Sequence, residues 1–138
     1  MKREIKFRGK KHNGSWVYGD LCTPANRFIS IRENRYTYNG ISHEEYEVYE
    51  DTIGQFTGLT DKNGREIFEG DVIKFHFMTS SPSTSELFPT KKFFGEITTN
   101  KYNQWTILSD GLEIHIENAI KYGEIIGNIY DNKELLED

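Results

Sequence analysis

Along this chain, apolar and polar residues alternate in short period-two runs closed off by Asn, Asp or Gly, and no stretch longer than about ten residues keeps a helical stripe. The pattern predicts a mainly β fold. Glu4 to Arg8 and Ser15 to Asp20 flank His12-Asn13-Gly14, whose Asn-Gly pair supplies the positive φ angles of a tight turn. The chain is therefore expected to open with a hairpin that puts Trp16 and Tyr18 on one face. Arg27 to Arg32 (RFISIR) alternates cleanly, with Ile29 and Ile31 on the face opposite Phe28. Tyr46 to Tyr49 follows a polar connection, RENRYTYNGISHEE, which can carry a hairpin of its own around Asn39-Gly40.

Later in the chain, Asp71 to Phe77, Lys92 to Thr99, Trp105 to Leu108, Leu112 to Glu117 and Glu124 to Tyr130 are five more strand candidates. Strands of this number and length suit small antiparallel sheets forming a bent sandwich or a partly open barrel. Residues 78–90 (MTSSPSTSELFPT) interrupt the series with a long loop, of a kind that is either functional or mobile. Asp131 or Asn132 caps a short C-terminal helical turn anchored by Leu135 and Leu136. With 138 residues, the chain is read as a single domain with two sub-parts, an N-terminal hairpin region (1–60) and a small barrel-like region (61–138).

Composition changes this picture little. Hydrophobic residues make up 36% and aromatic residues 14%, enough for a core despite 28% charged residues. The formal net charge of -5 disfavours nucleic acid as a partner unless the basic residues gather on one surface. Lys2, Arg3, Lys6, Arg8, Lys10 and Lys11 do crowd the N-terminus, whereas Glu44, Glu45, Glu47, Glu50 and Asp51 form an acidic run; this separation of charge would suit electrostatic pairing between subunits, but ordinary solvated edges are the simpler reading. Cys22 is the only cysteine, which excludes an internal disulfide and a cysteine metal cluster, and its expected role is packing. No apolar run approaches the length of a membrane span and no secretory signal is visible, so a cytoplasmic protein without membrane contact is expected.

The most motif-like stretch is IGQFTGLTDKNGREIFEGDVIKF at 53–75. A calcium loop counted from Asp61 would put Arg65 fifth and Val72 twelfth, where a cation needs oxygen ligands, and that reading fails. Gly54, Gly58, Gly64 and Gly70 fit no phosphate-loop spacing, and β-like sequence follows them rather than a helix. Asp61-Lys62-Asn63-Gly64 is expected to be a turn, and Glu69-Gly70-Asp71 a second one. In LEIHIEN, alternation would set Glu113, His115 and Glu117 on one strand face, the raw material of acid-base or metal chemistry. Neighbours on one face lie about 6 to 7 Å apart, too far for direct hydrogen bonds, so a solvated face is the simpler reading. His12, His43 and His76 have no zinc spacing. Lys91-Lys92 with Phe93-Phe94, and Lys101-Tyr102 with Trp105, offer a modest version of a single-strand stacking surface. No catalytic, cofactor-binding or metal-ligating residue is assigned.

IKFRGK at 5–10, WVYGDL at 16–21, the 53–75 stretch and IIGNIYDNKELLE at 125–137 together resemble the YopX family of bacteriophage and prophage proteins, in the right order and over nearly the whole chain. Phe56 and Phe68 stand where the family usually has Tyr, Gly9-Lys10 where Ala-Trp is frequent, and Lys133 where Pro is common. The resemblance implies a mostly β fold, a homo-oligomer and a gene carried by a mobile element; it implies no activity and transfers no catalytic residue. The expected function is a non-enzymatic phage accessory protein, a binding module for a host protein or small ligand. The alternative is a nucleic-acid-associated factor of phage replication or regulation working through the basic N-terminal strand. A hydrolase using Glu113 and His115 is a weaker third.

Overall fold

A computed structural model describes residues 4–23, 28–78, 90–117 and 123–136. The strands are β1 (Phe7–Lys10), β2 (Trp16–Cys22), β3 (Ser30–Thr37), β4 (Gly40–Glu47), β5 (Gly54–Thr60), β6 (Glu66–Phe68), β7 (Asp71–Met78), β8 (Thr90–Thr99), β9 (Trp105–Ser109), β10 (Leu112–His115) and β11 (Glu124–Asn128). Glu50–Thr52 and Lys133–Leu136 are short 3-10 turns. The fold is mainly β, as the alternation predicts, with two antiparallel sheets and no closed barrel among the described residues. The strand orders are β4-β3-β2-β1-β5-β6 and β10-β9-β8-β7-β11.

The chain divides into two compact units, Met1–Gly58 and Leu59–Asp138, and β5 carries it across the boundary. In the first unit Asn13 organises the opening hairpin, its Oδ1 accepting from Ser15 N–H at 3.0 Å while Gly14 takes φ +91°. Pairing then runs from Phe7↔Gly19 to Lys10↔Trp16. Val17, Ile31 and Val48 form the buried centre, with Phe7, Leu21, Ile29, Tyr46 and Ile53 packed around them.

The second unit has the larger core. Ile67, Ile73, Phe75, Ile97, Ile107, Ile114, Ile116 and Ile125 are all buried together. Cross-strand pairing explains the set, because Ile97↔Ile107 and Ile107↔Ile114 place three β-branched side chains in one row across β8, β9 and β10. Each fully buried isoleucine is worth about 2 kcal/mol relative to exposure. β10 ends at His115, two residues before the expected strand end, because the backbone turns helical at Ile116-Glu117 and commits Ile116 to the core.

Candidate functional site

Two neighbouring strands outrun the rest of the N-terminal sheet. β2 and β3 are in register only from Asp20↔Arg32 to Cys22↔Ser30, whereas β3 and β4 stay paired out to Thr37↔Gly40. Beyond Arg32↔Glu45 the hairpin is a two-stranded ribbon, and every residue from Arg35 to Glu45 is exposed. Its turn uses the Asn39-Gly40 pair, with Gly40 at φ +122° and the Thr37 hydroxyl donating to the Gly40 carbonyl at 2.9 Å.

Polar pairs hold the ribbon. Arg32 Nη2 meets Glu45 Oε1 at 3.1 Å, Arg35 Nε meets Glu33 Oε1 at 3.0 Å, and Asn34 donates to Asp20 at 2.8 Å while approaching His43 Nδ1 at 2.6 Å. The Tyr46 hydroxyl donates to Glu44; that bond, then burial, pushes the phenol above its ordinary 10.0. Exposed pairs of this kind contribute about 0.2 to 1 kcal/mol each, and a lone two-stranded hairpin is marginal in water. Such pairs are what the arm has in place of a core of its own.

Its tip is apolar. Tyr36 and Ile41 are cross-strand partners at 82% and 55% exposure, and Tyr38 in the turn is fully exposed at 100%. Scattered exposed apolar residues need no explanation, but three at one projecting tip mark a contact surface. β4 is also an edge strand, leaving one row of backbone N–H and C=O groups facing away from the sheet. Neither Pro nor Lys lies on that edge; Glu44, Glu45 and Glu47 give it negative charge, with Glu45 met by Arg32 and Glu47 by His12 Nε2 at 3.2 Å, and no Lys or Arg occurs from Tyr36 to Asp61.

A model of the YopX protein family matches residues 6–137. The chain belongs to the YopX family. It is similar to the crystal structure of protein EF1440 from Enterococcus faecalis, at 24% identity and a TM-score of 0.58 over 99% of this chain and 100% of that one. At that identity the likeness shows a shared fold alone. No curated protein matches the chain.

The other residues singled out in this YopX chain are not gathered into one place. Glu113 and His115 lie exposed on β10, Glu117 has left the strand, and no hydrogen bond or ion pair joins the three among the described residues. No group of three or more His, Cys, Asp or Glu that could hold a metal ion occurs among the described residues. Cys22, expected in a core, is only partly buried at the end of β2. The N-terminal cations are dispersed: Lys6 lies 3.5 Å from Glu4, Arg8 is buried with its guanidinium 4.8 Å from the Trp16 ring centre, and Lys11 lies 4.6 Å from that of Tyr46. Phe93 and Trp105 pack on the second core instead of forming an open stacking surface. Residues 79–89, most of the long loop, lie outside the described residues.

The Asp61 turn is structural, and more deeply tied in than a turn motif suggests. Asp61 is 5% exposed; its Oδ1 accepts the N–H groups of Asn63 and Arg65, and its Oδ2 that of Ile125, all at 2.9 Å. Arg65 Nη1 donates to the Ile125 carbonyl at 3.0 Å, and Lys62 N–H to the Gly123 carbonyl at 3.0 Å. The loop between β5 and β6 is thus clamped to β11, and its carboxylate is spent on amides. Burial pushes the Asp61 carboxyl up, but the amides of Ile125, Arg65 and Asn63, with the Arg65 charge, outweigh it and hold it below its ordinary 3.8.

Proposed function

We propose that this chain is a non-enzymatic phage or prophage accessory protein, a binding module whose working element is the β3–β4 arm. The observation that carries the reading is the ribbon with Tyr36, Tyr38 and Ile41 exposed at its tip and an acidic edge strand, β4, along one side. A soluble domain keeps such an edge and tip at the risk of aggregation, so their retention favours a partner. The partner that fits is a host protein offering an extended segment with apolar anchors for the tip and positive charge for Glu44, Glu45 and Glu47, added alongside β4 by backbone pairing. The phage connection rests on the resemblance of the chain to its family. A homo-oligomer assembled through the same edge is the second reading; pairing β4 with β4 would bring the glutamates of two copies together, which favours a basic partner over a second copy.

The test is affinity capture from bacterial lysate with the wild-type chain and with a Tyr36→Ser/Tyr38→Ser/Ile41→Ser variant. The reading expects a protein retained by the wild type at low salt, weakened by added salt and lost from the variant. A partner captured equally by both, or none captured by either, counts against it.

A further inference from the structure

Independently of the arm, the C-terminal unit carries a second candidate site, an open cleft of about 340 Å³. Period-two alternation places Lys92, Phe94 and Glu96 on the face of β8 opposite Phe93 and Ile97, which serve the core. Glu96 pairs with Leu108 of β9, and Leu108 with Glu113 of β10, so these side chains stand in one row on the outer face of the sheet. The 3-10 turn Lys133–Leu136 provides the opposite wall through Leu135 and Leu136, and the turn at Asp110 closes one end. Gly127 lets that turn approach, since a Cβ there would lie 2.8 Å from Leu135 Cδ1.

The lining is amphipathic with an acidic bias. Phe94, Leu108 and Leu135 supply apolar wall, Glu96 and Asp110 supply carboxylates, and Lys92, the one cation in the lining among the described residues, has its ammonium 5.8 Å from the Phe94 ring centre. The volume lies within the range of small-molecule pockets, which pair an apolar wall with a few fixed polar groups. Leu108 is 39% and Leu136 38% exposed, so apolar surface is left open around a half-buried carboxyl. We propose that this cleft binds a small protonated amine with an apolar body, the ammonium meeting Glu96 and the hydrocarbon lying against Phe94, Leu108 and Leu135. Burial, and then the Glu69 charge, push the Glu96 carboxyl above its ordinary 4.5, so the carboxylate is under-compensated in the free protein and a cation beside it would relieve the cost.

The experiment titrates the full chain with phenethylamine, 2-phenylethanol and 3-phenylpropanoate, following backbone amide shifts by NMR. The expected result is saturable binding of the amine with a Kd below about 1 mM, at least about 10-fold tighter than the alcohol, with shifts centred on residues 92–96, 108–111 and 135–136. In Glu96→Gln, with its unfolding midpoint measured alongside to confirm folding, the amine should bind no better than the alcohol. Equal binding of amine, alcohol and acid, no saturable binding of any, or amine binding unchanged in Glu96→Gln would each overturn the proposal. The arm variant Tyr36→Ser/Tyr38→Ser/Ile41→Ser should titrate like the wild type, which keeps this test separate from that of the arm.

Discussion

Replacing Asp61 by alanine removes one carboxylate and strands three backbone donors. The Ile125 amide is in a buried hydrogen bond, so leaving it without an acceptor costs about 2 kcal/mol, while the Asn63 and Arg65 amides, which water can reach in the turn, cost about 0.5 kcal/mol each. The expected loss is about 3 kcal/mol. With an unfolding entropy of about 2.1 cal/mol/K per residue over 138 residues, the melting midpoint should fall by about 10 °C. Asp61→Asn should lose less, because its amide oxygen can still serve the turn while its NH₂ group faces the Ile125 donor. Acid supplies the control. The folded carboxyl sits below its ordinary 3.8, so its contribution is fully present above the unfolded value and is lost as pH falls through the depressed folded value. Urea unfolding of wild type and Asp61→Ala should therefore differ by the full amount at pH 7, and the difference should shrink steadily as pH falls below the ordinary carboxylate value. A difference under about 1 kcal/mol at pH 7, or one that persists undiminished into acid, would refute the clamp.

Gly95→Ala should destabilise by about 2 kcal/mol through overpacking, since its Cβ would lie 2.3 Å from Ile107 Cγ2, and the urea midpoint should fall at unchanged slope. Ile107→Ala empties a fully buried position and should cost about 3 kcal/mol in the same assay. Glu113→Ala and His115→Ala alter exposed side chains and should change stability by less than about 0.5 kcal/mol. The triple arm variant should likewise keep its melting midpoint within a few degrees while losing the partner, which separates recognition from folding.

Much of the fold was legible because period-two alternation and Asn-Gly turns are local signals. Asn13-Gly14, Asn39-Gly40 and Asp61–Gly64 all form the turns that their residue types require, and the strands after Gly70 follow the alternation, although β10 and β11 each stop two residues short of it. What escaped was long-range. That Asp61 reaches the amide of Ile125, 64 residues away, leaves no trace in the turn motif. The arm was visible only as a polar connection able to hold a hairpin, because RENRYT has Tyr36 alone where a supported strand alternates apolar residues; its pairing is carried by Arg32, Asn34 and their cross-strand partners. Tyr36, Tyr38 and Ile41 around Asn39-Gly40 were the available signal for an apolar tip. Glu96 was hidden in KKFFGEITT, where the alternation that puts Phe93 in the core also turns Phe94 and Glu96 outward, but only the packing of Leu135 and Leu136 makes a cleft of that face.

We propose the β3–β4 arm as the recognition element. Its most direct test is photo-crosslinking from position 38, with position 102 as control, since Tyr38 and Tyr102 are both highly exposed tyrosines in turns, at 100% and 70%. The chain carrying a photoreactive amino acid at either position is irradiated in living bacteria and its adducts are identified by mass spectrometry. The account predicts a discrete host-protein adduct from position 38 that is absent from position 102; the same adducts from both positions, or none but a second copy of the chain from position 38, would contradict it.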